Sequence, residues 1–292
     1  LTWRAGADTY PKRKAPAFRG GRKHSIKKSM IAYPNIDPVA LRIGPLHLRW
    51  YGLMYIFGFA AAWFLGRSRT KKPWALIDAR GFEDLLTYCI VGLILGARIG
   101  YVVFYEPGYF IDHPMDALAI WKGGMSFHGG LMGMLVCMWL YARKHALSFF
   151  DVTDFICPLA PPGLFAGRMG NFINGELWGR VTDVPWAMVF PRPGAGTYPR
   201  HPSQLYEAAL EGVALFCILW FYTAKPRPRM AASGLFLLCY GSFRFFVEFF
   251  RRPDPQLGFI AFGWLTMGQL LCAPMILAGI ALLYLVRRNR RA

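Results

Sequence analysis

The feature that most constrains this chain is a succession of apolar runs about as long as a bilayer is thick. Two examples are L-L-T-Y-C-I-V-G-L-I-L-G-A-R-I-G-Y-V-V-F and L-C-A-P-M-I-L-A-G-I-A-L-L-Y-L-V. A helix needs roughly 20 such residues to cross a membrane. Within hydrocarbon every backbone N–H and C=O must find its partner inside the protein, which leaves helices and closed barrels as the spanning structures. Runs of this length predict helices, over about 48–66, 85–105, 125–141, 152–166, 201–222, 234–250 and 259–286. The composition agrees. Of 292 residues 55% are hydrophobic and only 17% charged, where soluble domains carry about a quarter. The predicted fold is an all-α polytopic membrane protein of about seven transmembrane helices.

Charge sets the expected orientation. Pro158, Pro161 and Pro162 should break or kink the fourth run. If that run crosses nonetheless, the basic loops 67–72, 143–144, 225–229 and 287–291 fall on one face, as the positive-inside bias requires. The N-terminus is then periplasmic, the C-terminus cytoplasmic, and loops near 106–124 and 167–200 form a small periplasmic head. Residues 1–29 hold close to half of the +18 net charge. They read as a disordered basic extension, an upstream addition or a misplaced start, followed by a transmembrane domain over 30–292. Because the basic residues cluster beside apolar spans, membrane topology and anionic lipid explain them better than nucleic acid. All six cysteines lie in apolar segments with no C-x-x-C pair, which predicts inert thiols and no metal site.

Polar residues inside such a chain mark candidate function. The stretch from 167 to 182 reads G-R-M-G-N-F-I-N-G-E-L-W-G-R-V-T, a dense polar patch at a span end. Arg168 and Arg180 suit phosphate, because a guanidinium offers parallel hydrogen bonds. Asn171 and Asn174 add amide donors, and the glycines admit close backbone approach. In the sixth run Tyr240, Arg244, Glu248 and Arg251 are spaced to share one helical face. Charges in a span normally face the bundle interior. That face is either an internal ion pair or an anion pocket; its excess of basic over acidic groups favours the anion pocket. His128, in S-F-H-G-G, is either structural or a base. In H-P-S-Q-L-Y-E, Ser203 is expected to cap the fifth run. No serine-hydrolase elbow, phosphate loop or paired metal carboxylates is present.

These motifs resemble the bacterial prolipoprotein diacylglyceryl transferases. G-R-M-G-N-F-I-N-G-E-L-W-G-R is similar to the family signature. R-W-Y-G-L-M-Y, S-F-H-G-G, H-P-S-Q-L-Y-E and R-F-F-V-E-F-F-R-R-P-D follow the family's order. The resemblance spans about 30–286; residues 1–29 have no counterpart in it. It implies an inner-membrane enzyme, active toward the periplasm and needing no metal or cofactor. Such an enzyme moves the diacylglyceryl group of phosphatidylglycerol to the lipobox cysteine of a prolipoprotein, forming a thioether and releasing glycerol phosphate. It implies Arg168 as a phosphatidylglycerol-binding arginine, Asn171, Glu176 and Gly179 as signature positions, and functional roles for Tyr51, His128, Tyr240, Arg244, Glu248 and Arg251. Arg168 and Arg244 would hold the charge that grows on the leaving phosphate. The thiol's proton would go to His128, or Arg244 would supply a field that favours thiolate. A transporter of an anionic lipid or solute, or a structural membrane partner, would be the alternatives.

Overall fold

The computed structural model describes residues 31–289 except 35, 45 and 254–257. The expected extension over 1–29 lies outside the described residues. A two-stranded antiparallel hairpin, β1 (Val39–Ile43) and β2 (Leu46–Arg49), pairs Arg42 with His47 and runs directly into α1 (Trp50–Thr70). α2 (Ala79–Phe104) begins on Asp78, whose carboxylate accepts the Gly81 N–H at 2.8 Å. α3 (Pro107–Asp112) and two short 3-10 turns precede α4 (Phe127–Lys144), which Ser126 caps in the same way. Such caps satisfy the orphan N–H groups of a helix start.

The fourth predicted run is not one helix. α5 (Phe149–Ile156) opens on a reciprocal capping box between Ser148 and Asp151, then a 3-10 turn over Cys157–Leu159 leads into α6 (Pro161–Ile173). The break falls where Pro158 and Pro161 remove backbone donors. α6 also continues through Gly167–Ile173, a stretch expected to be loop. α7 (Ser203–Glu207), a π-helical stretch over Ala208–Ala214 and α8 (Leu215–Tyr222) form one continuous rod. α9 (Ala231–Val247) ends before Arg251.

α10 (Met267–Asn289) starts eight residues later than the apolar run predicts. Thr266 sets the start: its hydroxyl accepts the Gln269 N–H, and the Gln269 side chain accepts the Thr266 N–H, at 3.3 and 3.1 Å. This reciprocal cap anchors the first turn. Among the described residues three rods, Ala79–Phe104, Ser203–Tyr222 and Met267–Asn289, are long and apolar enough to cross a membrane.

The packing is inverted relative to a soluble protein. Phe64, Leu95, Ile99, Phe221 and Leu277 are exposed, while Gln204, Glu207, Glu211 and Gln269 are buried. Close backbone approach joins the helices: a Cβ on Gly96 of α2 would stand 2.7 Å from the Gly133 Cα of α4. Small residues at such crossings let helices pack when lipid is as apolar as the protein. Arg98, buried in α2, donates to the carbonyls of Asp116, Ala117, Gly123 and Gly124 at 2.5 to 2.9 Å. It pins the 114–124 segment to the bundle.

Gly96→Ala should therefore destabilise the protein by about 1–3 kcal/mol, the scale of overpacking a close contact. A lowered thermal midpoint in detergent measures it, and an unchanged midpoint would show that the crossing yields freely.

Candidate functional site

Three separate pieces of chain bring charged side chains to one buried place. Arg168 comes from the end of α6. Glu207 ends α7, and Glu211 lies in the π-helical stretch, a distortion often found at functional sites. Arg244 lies near the end of α9 and Glu248 just beyond it. Arg251 follows past the helix end, its N–H still bonded to the Val247 carbonyl at 3.2 Å.

Glu207 is the hub. Its Oε2 meets Arg168 Nε at 2.5 Å and Arg244 Nη1 at 3.1 Å, and its Oε1 accepts from Arg251 Nη1 at 2.6 Å. Glu211 approaches Arg168 at 3.4 Å and Arg244 at 3.7 Å. Glu248 pairs with Arg244 and with Arg251, each at 3.2 Å, and accepts the Thr266 hydroxyl at 3.1 Å. The residue that caps α10 thus also braces the cluster. Three arginines face three glutamates, so the expected excess of positive charge on this face is corrected. The missing acids come from the neighbouring rod.

The exposure of these groups is unequal. The side chains of Glu207, Glu211 and Glu248 keep 1%, 0% and 6% of their surface, whereas Arg168 and Arg244 keep 20% and 16%. Arg168 and Arg244 are thus the more open members of the cluster, and the carboxylates the closed ones. Several contacts, including those of Arg244 Nη1 and Arg251 Nε, are close in charge but lack hydrogen-bond geometry. Charge holds the cluster together, and donor capacity is left over.

Other expected residues surround it. Tyr240, one turn before Arg244, stacks on Phe236 and feels the charges of Glu211, Arg244 and Arg168. The Tyr51 hydroxyl lies 3.2 Å from that of Tyr55, and its ring lies against Gly170, two residues from Arg168. Asn171 and Asn174 both donate to Glu176 Oε1, at 2.9 and 3.2 Å. They fold the signature turn around one carboxylate. Gly179 packs so tightly that a Cβ would meet the Phe250 carbonyl at 2.5 Å and the His201 Cβ at 2.7 Å.

Three expectations change. Arg180, read as a phosphate donor, instead caps the end of α9 by donating to the carbonyls of Arg251 and Glu248 at 2.8 and 3.3 Å. Ser203 does not cap its helix; its hydroxyl donates to the Leu177 carbonyl at 3.0 Å, beside a Gln204 bond to the Glu176 carbonyl. Both tie the signature turn to α7. His128 is not brought to the cluster. It lines an apolar groove between α2 and α4 with Gly96, Gly100, Tyr105 and Met132.

Next to the signature turn, Phe172, Met188, Phe190 and Ala195 form an apolar cluster packed by Tyr33, Trp178 and Leu205. Tyr33 donates to the Phe172 carbonyl at 2.5 Å. Burial pushes its phenol above the ordinary value, against the pull of Arg192 and a backbone hydrogen bond at Gly175, so it stays a donor.

Glu207 and Glu211 are the cluster members that sequence reasoning did not assign to a site. The signal was present: two carboxylates four apart within the apolar run S-Q-L-Y-E-A-A-L-E-G-V-A-L.

Removing one partner of a buried ion pair leaves an uncompensated charge and costs about 3–5 kcal/mol. Glu207→Gln should lower the thermal midpoint more than Glu211→Gln, because Glu207 meets all three arginines and at shorter range. Equal midpoints would contradict the hub assignment.

Comparison with known proteins bears on what this site does. A family model described as prolipoprotein diacylglyceryl transferase matches residues 38–285. A protein of Oleidesulfovibrio alaskensis is 62% identical over 262 residues, covering 90% of this chain and 97% of its own length. One of Nitratidesulfovibrio vulgaris is 57% identical over 254 residues, covering 87% and 96%. One of Pseudomonas aeruginosa is 57% identical over 263 residues, covering 90% and 98%. Each of the three is named phosphatidylglycerol–prolipoprotein diacylglyceryl transferase.

Proposed function

The chain belongs to the prolipoprotein diacylglyceryl transferase family, and from that premise we propose that the arginine–glutamate cluster holds the phosphate of phosphatidylglycerol during the transfer. The protein is a transferase that takes phosphatidylglycerol and a prolipoprotein as substrates. The observation that carries the site assignment is the set of partly open arginines held over closed carboxylates. No observation favours the anion-transporter alternative.

The chemistry follows from the bond that breaks. The thiol sulfur of the prolipoprotein's lipobox cysteine attacks a glycerol carbon, a thioether forms, and the carbon–oxygen bond to phosphate opens. The bonding pair goes to the phosphate oxygen, so glycerol phosphate leaves with an added negative charge. Arg168 and Arg244 receive that growing charge. Fixed donors aimed at developing charge are worth most in a site that excludes water. Because the resting cluster is neutral, the headgroup is not drawn by excess charge. Each guanidinium has five N–H donors, and the carboxylates engage only part of them. Glu207, Glu211 and Glu248 hold the planes of the arginines while unused donors turn to phosphate.

Tyr51 and Tyr240 line the approach, and Arg251 completes the positive side. Asn171, Glu176 and Gly179 shape the turn that seats Arg168. The thiol's proton goes to His128, or Arg244 supplies a field that favours the thiolate. The histidine's role rests on its chemistry and its motif, since His128 stands apart from the arginines. With seven crossings, the bent α5–α6 pair counted as one, the positive-inside bias supports a cluster that faces the periplasm. The same count puts the basic loops at the cytoplasmic face of the inner membrane. The N-terminus is then periplasmic and the C-terminus cytoplasmic. Residues 30–292 make up the transferase domain.

Purified protein incubated with phosphatidylglycerol and a lipobox peptide should add one diacylglyceryl unit to the cysteine, read by mass spectrometry; an unmodified peptide would refute the reading. Arg168→Ala should slow that transfer roughly 100-fold or more, the cost of losing one charged donor to the leaving group. His128→Gln should slow it by about 100-fold if the histidine takes the proton; a full rate would remove His128 from the mechanism.

A further inference from the structure

The end of the bundle away from the cluster carries a charged cavity. Arg229 and Ala232, at the start of α9, line it, while Arg244 lies near the other end of the same helix. At about 1.5 Å per residue the two places are roughly 18 Å apart along α9. The cavity has a volume of about 330 Å³, at the small end of the range for ligand pockets.

Its cations outnumber their partners. Arg69, Lys72, Lys225, Arg227 and Arg229 line it together with Asp151 and Asp154. Asp151 is taken by Arg229, which grips both carboxylate oxygens at 2.7 and 3.0 Å. Asp154 accepts the Ser233 N–H and hydroxyl at 2.7 and 2.5 Å. Among the described residues, Arg69, Lys72, Lys225 and Arg227 make no ion pair with a carboxylate.

Arg69 is the informative one. Its guanidinium lies against the rings of Phe155 and Trp220, at 5.6 and 5.9 Å, and Nη1 donates to the Thr223 hydroxyl at 2.7 Å. Its Nε is buried without a hydrogen-bond partner. A loop that is basic only for topology leaves its side chains in water. Here an arginine is desolvated, held on aromatic faces and short of an acceptor, at the wall of a cavity edged by lysines. Lys72 lies over Trp74, 5.9 Å from the ring, at the same opening.

We propose that this cavity is a phosphate-binding site, occupied by the headgroup of an anionic lipid in the leaflet beside the basic loops. A phosphate supplies the acceptor oxygens that Arg69 lacks and the negative charge that Lys72, Lys225 and Arg227 lack. Basic clusters at a membrane surface already concentrate anionic lipid there. The site is separate from the transfer chemistry and stands whether or not that reading does.

Lys72→Gln/Lys225→Gln changes two exposed side chains outside the arginine–glutamate cluster. In native mass spectrometry the wild-type protein should retain phosphatidic acid at least fivefold better than this variant, with phosphatidylcholine held weakly and equally by both. Arg168→Ala should keep the portion of the binding that the double variant loses. If both proteins retain phosphatidic acid equally but inorganic phosphate raises the thermal midpoint of the wild type alone, the phosphate site stands and the lipid source is overturned. Equal retention together with an equal response to phosphate overturns the site.

Discussion

The structure depends on the charge balance among Arg168, Arg244, Arg251, Glu207, Glu211 and Glu248. Each of these ions would be expensive alone in an apolar bundle. Together they are neutral, and each helix that enters the cluster is held by the others. α6, the rod from Ser203 to Tyr222, and α9 with the residues after it meet there, and α10 joins through Thr266. The signature turn then closes over the top, with Gly179 and Arg180 fixed to the end of α9 and Asn171 and Asn174 fixed to Glu176.

On the proposed reading, the same interaction serves reaction and fold. A transferase that expels a phosphate needs preorganised cations, but bare cations would hinder packing of the bundle. Carboxylates behind the arginines resolve the conflict. They compensate the charge in the resting protein and leave part of the guanidinium donor capacity unused. The difference in exposure between arginines and glutamates is the physical trace of that arrangement. On the proposed reading, orientation rather than surplus charge would let a neutral cluster hold an anionic headgroup.

Much of the architecture was legible in the chain. Hydrophobic length is a local property, so the runs near 48–66, 85–105 and 125–141 overlap α1, α2 and α4 closely. Boundaries set by side-chain bonds were harder to see. The start of α10 moved because Thr266 and Gln269 cap each other, and apolar content alone extended that helix backward. Likewise α6 kept its helix through Arg168 and Asn171, since a polar sequence at the end of a buried helix can still make helical hydrogen bonds. Arg180 looked like a ligand donor because an arginine's type does not reveal whether it faces a phosphate or two backbone carbonyls.

What the sequence determined by itself was the membrane class, the shared face of Tyr240, Arg244 and Glu248, and the family signature from Gly167 to Arg180. These depend on spacing along one stretch of chain, where periodicity and residue order carry the information. Only the tertiary structure decided which acids answer the arginines, that Glu207 sits at their centre, and that His128 lies in another groove. Those pairings join residues 33 to 44 positions apart. They follow from how helices cross, which small residues such as Gly96 and Gly133 permit and which no single helical repeat encodes.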